Sequence, residues 1–284
     1  MIQFGMRAHD FSAPKPAKEF LNGLSNAGIR YVQLAFEKSF SDLDFATGRY
    51  SAGYAQYLAR ILRENEVHCA VLGCYINPVV PDEALRTKEI ARFTERLRYA
   101  KHIGADMVGT ETGRFSIDFS VTEQTQSKEC YRTLLESFSE ICTHAEALGV
   151  TVGVESVFDH TLCSPEKMER FLKDIASPSI EVIFDFANLL SPQAAMERAQ
   201  QERLVKEAFD RYGERISVLH LKDLIFDANG AQQCVTPGTG LMDYQPLMKL
   251  VKQHKPYIIG LLEESSAERF AKDCAFFQDQ WEKA

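Results

Sequence analysis

The sequence predicts an α/β fold, a single (β/α)8 barrel formed by residues 1–284 as one domain. Three observations carry that reading. Eight short apolar runs rich in β-branched residues recur along the whole chain. Longer stretches with helical periodicity separate them, so strands alternate with helices and the sheet is parallel. A length of 284 residues suits the roughly 250 of a one-domain barrel, and no Pro/Gly/Ser-rich linker divides the chain. A doubly wound sheet is the rival, but its GxGxxG turn is missing where the first strand runs into MRAHDF.

In chain order the strand runs are Ile2–Met6, Tyr31–Phe36, Cys69–Tyr75, Met107–Thr110, Thr151–Glu155, Glu181–Asp185, Ile216–Leu221 and Tyr257–Leu262. Ala84–His102 reads as a helix because Leu85, Ile90, Phe93, Leu97 and Ala100 recur at steps of three to five. Glu129–Leu148 does so through Leu134, Leu135, Phe138, Ile141 and Ala145. The junctions NAGIRYVQL, HIGADMVGT and EALGVTVGV each place a Gly two to four residues before a strand. That is where a helix ends in the left-handed conformation. Leu190–Glu202 and Phe226–Tyr244 read as irregular loops, each following a strand end.

Composition narrows the function classes. The chain is 45% hydrophobic and 25% charged, which excludes a disordered or fibrous chain. No apolar run approaches the ~18 residues that span a bilayer, so no membrane partner is expected. The net charge of −8 opposes a phosphate backbone, so no nucleic acid is expected either. Seven cysteines without CxxC spacing argue against a disulfide framework or a structural zinc site. With no export signal at MIQFGMRAHDF, the expected setting is cytoplasmic, with reduced thiols.

A barrel carries its chemistry at the C-terminal ends of its strands. Those ends are unusually polar here. The first gives His9 and Asp10, the second Glu37 and Lys38, the third Tyr75 and Asn77, and the fourth Glu111. The fifth gives Glu155 and, five residues on, His160. The sixth gives Asp185 and Asn188, the seventh His220, Lys222 and Asp223, the eighth Glu263 and Glu264. Burying several carboxylates without a cation costs several kcal/mol each. Glu155, Asp185, His220 and Glu263, from four consecutive strands, therefore suit one divalent metal ion: Mn2+, Co2+, Mg2+ or Zn2+. Singly, Glu155 or Asp185 would also serve as a helix cap, and His220 as a core histidine. Glu263 is chosen over Glu264 because Ile259 and Leu261 share its face. His9, Glu111, His160, Asn188 and Lys222 are read as substrate contacts, Lys222 because it shares His220's side of the strand. Phe36, Phe40, Phe158 and Phe186 could wall the pocket, and Pro237–Gly240 (PGTG) reads as either a phosphate-cradling loop or a plain turn.

With these residues in place, VGVES at 152–156, VIFDFANLL at 182–190, SVLHLKD at 217–223 and LLEES at 261–265 resemble the signature of the xylose isomerase-like TIM barrels. That superfamily includes sugar-phosphate isomerases, ketose 3-epimerases, inosose dehydratases and the AP endonuclease branch. The match is close over the last four units and looser before them. It implies a divalent ion held by Glu155, Asp185, His220 and Glu263, with Glu155 and Glu263 as the catalytic pair that exchanges a proton beside a metal-polarised carbonyl. The implied activity is a sugar or sugar-phosphate isomerase or epimerase. A dehydratase acting on a cyclic polyol ketone and a non-catalytic sugar-binding barrel are the alternatives. Two departures stand out. Asn188 occupies the place where ketose 3-epimerases carry His, and LIFDAN lacks the Arg that they carry after the HxKD run. The extra histidines of the AP endonuclease branch are missing, which argues against DNA repair. The small-molecule partner is a sugar or sugar phosphate, and a homo-oligomer stays open.

Overall fold

A computed structural model of the chain describes residues 2–227 and 230–284; Met1, Ala228 and Asn229 lie outside the described residues. Eight parallel strands close into a barrel: β1 (Gln3–Arg7), β2 (Tyr31–Leu34), β3 (His68–Gly73), β4 (Met107–Glu111), β5 (Thr151–Glu155), β6 (Ile180–Asp185), β7 (Ile216–Leu221) and, after a short hairpin, β10 (Ile259–Leu262). Hydrogen bonding runs in sequence order from β1 to β7, and β10 closes the ring between β7 and β1. All eight expected runs are barrel strands, and β5, β6, β7 and β10 are consecutive around the ring.

A single-turn helix α2 (Phe36–Ser39) follows β2, and the principal outer helices are α1 (Ala17–Asn26), α3 (Ala52–Glu64), α4 (Glu83–Ile103), α5 (Lys128–Leu148), α6 (Pro165–Ile175), α8 (Arg198–Tyr212), α9 (Gln245–His254) and α10 (Phe270–Lys283). Their starts and stops are local chemistry. Asp82, Ser127 and Ser164 cap α4, α5 and α6 by accepting the N–H groups of Leu85, Cys130 and Lys167. Gly104 and Gly149 end α4 and α5 at φ of 71° and 66°, as the junction pattern predicts. Among the described residues no helix is long and apolar enough to cross a membrane.

The barrel interior is filled by a compact layer. Val71, Met107, Ile183, Val218 and Leu261 are all buried there and form their own cluster, apart from the larger core between sheet and helices. Gly153 belongs to the same level. A Cβ on it would meet Met107 Sδ at 2.5 Å and Ile183 Cδ1 at 2.8 Å, so the ends of those two side chains use the room that a methyl group would need. Side chains alternate along a strand. The residues two or four positions further on therefore face the barrel mouth: Tyr75 from Val71, Glu111 from Met107, Glu155 from Gly153, Asp185 from Ile183, His220 from Val218 and Glu263 from Leu261.

Two expected loops are partly ordered elements. Leu190–Glu202 holds the short helix α7 (Pro192–Ala195), capped by Ser191 with Pro192 at its first turn, and the start of α8. Phe226–Tyr244 holds half of an antiparallel hairpin, β8 (Asp223–Phe226) with β9 (Gln232–Val235); the Ala228 and Asn229 part of that stretch is outside the described residues. Strand β9 is exposed along most of its length. It therefore shows no apolar alternation by which a strand could be read.

Candidate active site

The strand register brings the expected residues together. Glu111 lies beside Glu155, Asp185 lies beside His220, and the Glu263 N–H donates to Leu221 C=O at 3.0 Å. Glu155, Asp185, His220 and Glu263 are all buried. His220 Nδ1 lies 3.2 Å from Glu155 Oε2, 3.5 Å from Glu263 Oε1 and 3.9 Å from Asp185 Oδ2. Ligand atoms of Glu155, Asp185 and His220 all fall within 4.8 Å of one another. Neither ring nitrogen of His220 makes a hydrogen bond, although the ring is fully buried. A buried imidazole that makes no aligned hydrogen bond, though ringed by three carboxylates, fits a divalent cation by its donor set. Glu264 is the exposed neighbour: its carboxylate bonds Arg7 at 2.5 Å while Glu263 turns inward.

Each carboxylate is also held from behind. Glu155 Oε1 accepts from Asn188 Nδ2 at 2.7 Å, and Oε2 accepts from the Tyr75 hydroxyl at 3.2 Å. Gln33 in turn donates to the Tyr75 hydroxyl at 3.2 Å. Asp185 Oδ1 accepts the Asn188 backbone N–H at 2.8 Å, closing the turn that follows β6 and not capping a helix, while Oδ2 faces His220. The Lys222 ammonium lies 2.7 Å from Asp185 Oδ2 and 2.7 Å from Glu263 Oε2. Arg7 reaches within 3.6 Å of Glu263 Oε1 while forking onto Asp10 with two 2.9 Å bonds.

This wiring sets the charge states. Burial by itself would push the Glu155 and Glu263 carboxyls up, but His220 and Lys222 reverse it and hold both below the usual carboxylate range. His220 moves the other way: burial works against its charge, yet Glu263 and Glu155 push it up to about 9. For Glu111 the opposing pull of Lys222 is the smaller effect. Burial, and then the charges of Glu155 and Glu263, push it up to about 8, so at neutral pH it is a carboxylic acid that can donate a hydrogen bond.

Glu155 and Glu263 line a cavity of about 890 Å3 together with Arg7, His9, Gln33, Tyr75, Glu111, Asn188 and Lys222, whereas Asp185 and His220 are not among its lining residues. Of the four phenylalanines considered as walls, only Phe40 lines it. His9, Glu111, Asn188 and Lys222 face this space. His160 is not among the lining residues: it is buried behind Glu111, its Nδ1 3.7 Å from Glu111 Oε2 and its ring edge-on to Phe119. Residues that sequence reasoning passed over are Arg7, Gln33 and Arg92, which also lines the cavity. Arg7 ends the first strand and Gln33 is a buried amide inside the second, so both carried a positional signal. Arg92 sits on α4 and carried none. The PGTG segment cradles a carboxylate of its own chain: Gly238 and Gly240 each donate an N–H to Asp223 Oδ2 at 2.8 Å.

Similarity agrees with the geometry. The model of the xylose isomerase-like TIM barrel family matches residues 22–280. The chain belongs to that family. No curated protein sequence matches it. Among solved structures, this xylose isomerase-like barrel is similar to a D-tagatose 3-epimerase-like protein, with a TM-score of 0.74, 16% identity and coverage of 99% of this chain and 97% of that one. It is similar to an IOLI protein with a bound zinc atom, at a TM-score of 0.74 and 17% identity over 100% and 99% of the two chains. It also resembles the 3-keto-D-glucoside 4-epimerase YcjR of E. coli, at a TM-score of 0.72 and 12% identity over 98% and 100%. At such identities the likeness shows the barrel fold.

The buried His160 gives a pH prediction. Burial, opposed by Asp159 and aided by Arg114, pushes its imidazole down to about 4, against about 6.5 in an unfolded chain. Between these values the unfolded chain binds the extra proton, so His160 removes stability as pH falls from about 6.5 to about 4. Above 6.5 its effect is constant. In urea titrations at pH 7.5 and pH 4.5, His160→Gln should lose less stability on acidification than wild type, by ~2 kcal/mol. Equal losses would exclude this account of His160.

Proposed function

We propose that the protein is a metal-dependent sugar isomerase or epimerase that moves a proton on a carbon next to a carbonyl. One observation carries the reading: two buried glutamates, Glu155 and Glu263, both kept ionised, line a sugar-sized cavity and flank the buried His220. The family, and several structural neighbours named as epimerases or epimerase-like proteins, support it. Glu155, Asp185, His220 and Glu263 would hold the ion, which when bound polarises the substrate carbonyl and adjacent hydroxyl. Glu155 takes the proton from one side of the carbon; Glu263 returns one on the other side after it has itself taken up a proton from solvent in the cavity, and Glu155 releases its proton to solvent before the next turnover. His220 and Lys222 keep both carboxylates ionised and in place. Asn188, Tyr75 and Gln33 fix the Glu155 carboxylate plane, so little reorientation accompanies transfer. Neutral Glu111 and neutral His9, which burial pushes down to about 4, offer hydrogen bonds to substrate hydroxyls without adding charge. His160 acts at one remove, by packing behind Glu111. Substrate is read as a ketose or its phosphate and the metal as one divalent ion from among Mn2+, Co2+, Mg2+ and Zn2+. The seven free thiols favour a reducing, cytoplasmic setting.

A panel of ketoses and ketose phosphates incubated in D2O with Mn2+ tests this. The expected result is deuterium beside the carbonyl, with a new epimer or aldose resolved by NMR. An enone absorbance would point to dehydration, and tight binding with neither signal to a sugar-binding barrel.

A further inference from the structure

Lys222 is buried, and its ammonium pairs with two buried carboxylates, Asp185 and Glu263. Its backbone is pinned on both sides by Tyr244, whose hydroxyl donates to Lys222 C=O at 2.6 Å and lies 3.2 Å from Lys222 N. From there the side chain reaches into the ligand cluster. Asp185 has two oxygens. Oδ1 is committed to the Asn188 N–H at 2.8 Å, which leaves Oδ2 as the oxygen facing His220. The Lys222 ammonium lies on that same oxygen, at 2.7 Å. Glu263 differs: Lys222 takes Oε2, and Oε1 still faces His220. Two cations cannot share one carboxylate oxygen without mutual repulsion at close range.

We infer that Lys222 and the divalent ion are alternative partners of Asp185 Oδ2, so that Lys222 is a positioning residue which sets the metal affinity of the site. The inference rests on the cluster's being a metal site. Without an ion, the lysine balances buried carboxylates that would otherwise repel one another. When an ion binds, it does so against the lysine, and Kd is raised accordingly. The lysine thus keeps the metal-free protein folded and prevents the binding of divalent ions at the affinity three bare carboxylates would give.

The test is calorimetric titration of Mn2+ alone into chelator-treated wild type, Lys222→Met and Lys222→Arg, with melting curves of each before and after Mn2+. Lys222→Met is expected to bind Mn2+ ~10-fold or more tightly than wild type. It should melt lower than wild type without metal and gain more from Mn2+. Lys222→Arg, which keeps the charge, should stay near wild-type affinity. Equal or weaker Mn2+ binding by Lys222→Met, with wild type binding normally, would overturn the inference and leave the metal site standing. No binding by any of the three would remove the metal site itself. If Lys222→Met can be recovered only with Mn2+ present, the expected dependence on metal is already shown. Crystals of wild type with and without Mn2+ give a check that needs no variant. The Lys222–Asp185 Oδ2 contact should be lost when Mn2+ is bound, and its persistence would contradict the proposal.

Discussion

Glu155→Gln and Glu263→Gln are each expected to lower turnover by ~10²- to 10⁴-fold while leaving the barrel folded. The amide is nearly isosteric with the carboxylate, so the cavity keeps its shape. What it loses is the lone pair that accepts a proton. The two variants should also differ in kind. If one glutamate removes the proton and the other returns it, the variant lacking only the returning group still washes deuterium from solvent into recovered substrate without giving product. The variant lacking the removing group shows neither. Substrates run in both directions in D2O, with NMR detection, would assign the roles. Turnover within tenfold of wild type in either variant would remove the two-glutamate mechanism. Unchanged circular dichroism and melting midpoint are needed alongside, because both side chains touch the buried cations His220 and Lys222.

Asp223→Ala is expected to destabilise the fold by about 3 kcal/mol or more. Asp223 is buried, and its carboxylate accepts four backbone N–H groups, from Leu224, Gly238, Gly240 and Met242, at 2.8–3.1 Å. Removing it orphans all four at once and frees the loop from Gly238 to Met242. The loop has been shaped around it: a Cβ on Gly240 would stand 2.2 Å from Asp223 Oδ1. Asp223→Asn keeps one acceptor and should fall between wild type and Ala. Urea midpoints measure this, and a loss below about 1 kcal/mol for Ala would show that the loop is held by other contacts. Activity should fall too, since Asp223 follows Lys222 directly and anchors the backbone from which that lysine reaches its partners.

How much of this was legible in the sequence depends on distance along the chain. The barrel was legible because strand and helix patterns are local, and because Gly104 and Gly149 mark helix ends by a backbone requirement that few other residues meet. The mouth-facing ends were legible too, since a period of two carries Val218 to His220 and Leu261 to Glu263. The choice of Glu263 over its neighbour rests on that parity alone, and the structure turns Glu263 inward and Glu264 out. The partners of those groups were not legible. Nothing in HLKD says that the lysine turns onto Asp185 or that the aspartate binds amides 15–19 residues further on. Such pairings are made by loop closure, whose geometry leaves no periodic mark. His160 illustrates the same limit: a loop histidine after β5 could face the substrate or pack behind Glu111, and only the course of the loop decides. Strand β9 was missed for another reason. It is polar and exposed, so burial imposes no pattern on its residues.

Anomalous diffraction from crystals grown with Mn2+ tests the central claim most directly. The account predicts one strong peak at the barrel mouth, in contact with oxygens of Glu155, Asp185 and Glu263 and with a ring nitrogen of His220. No peak there at saturating Mn2+, or a peak held by other side chains, would contradict it.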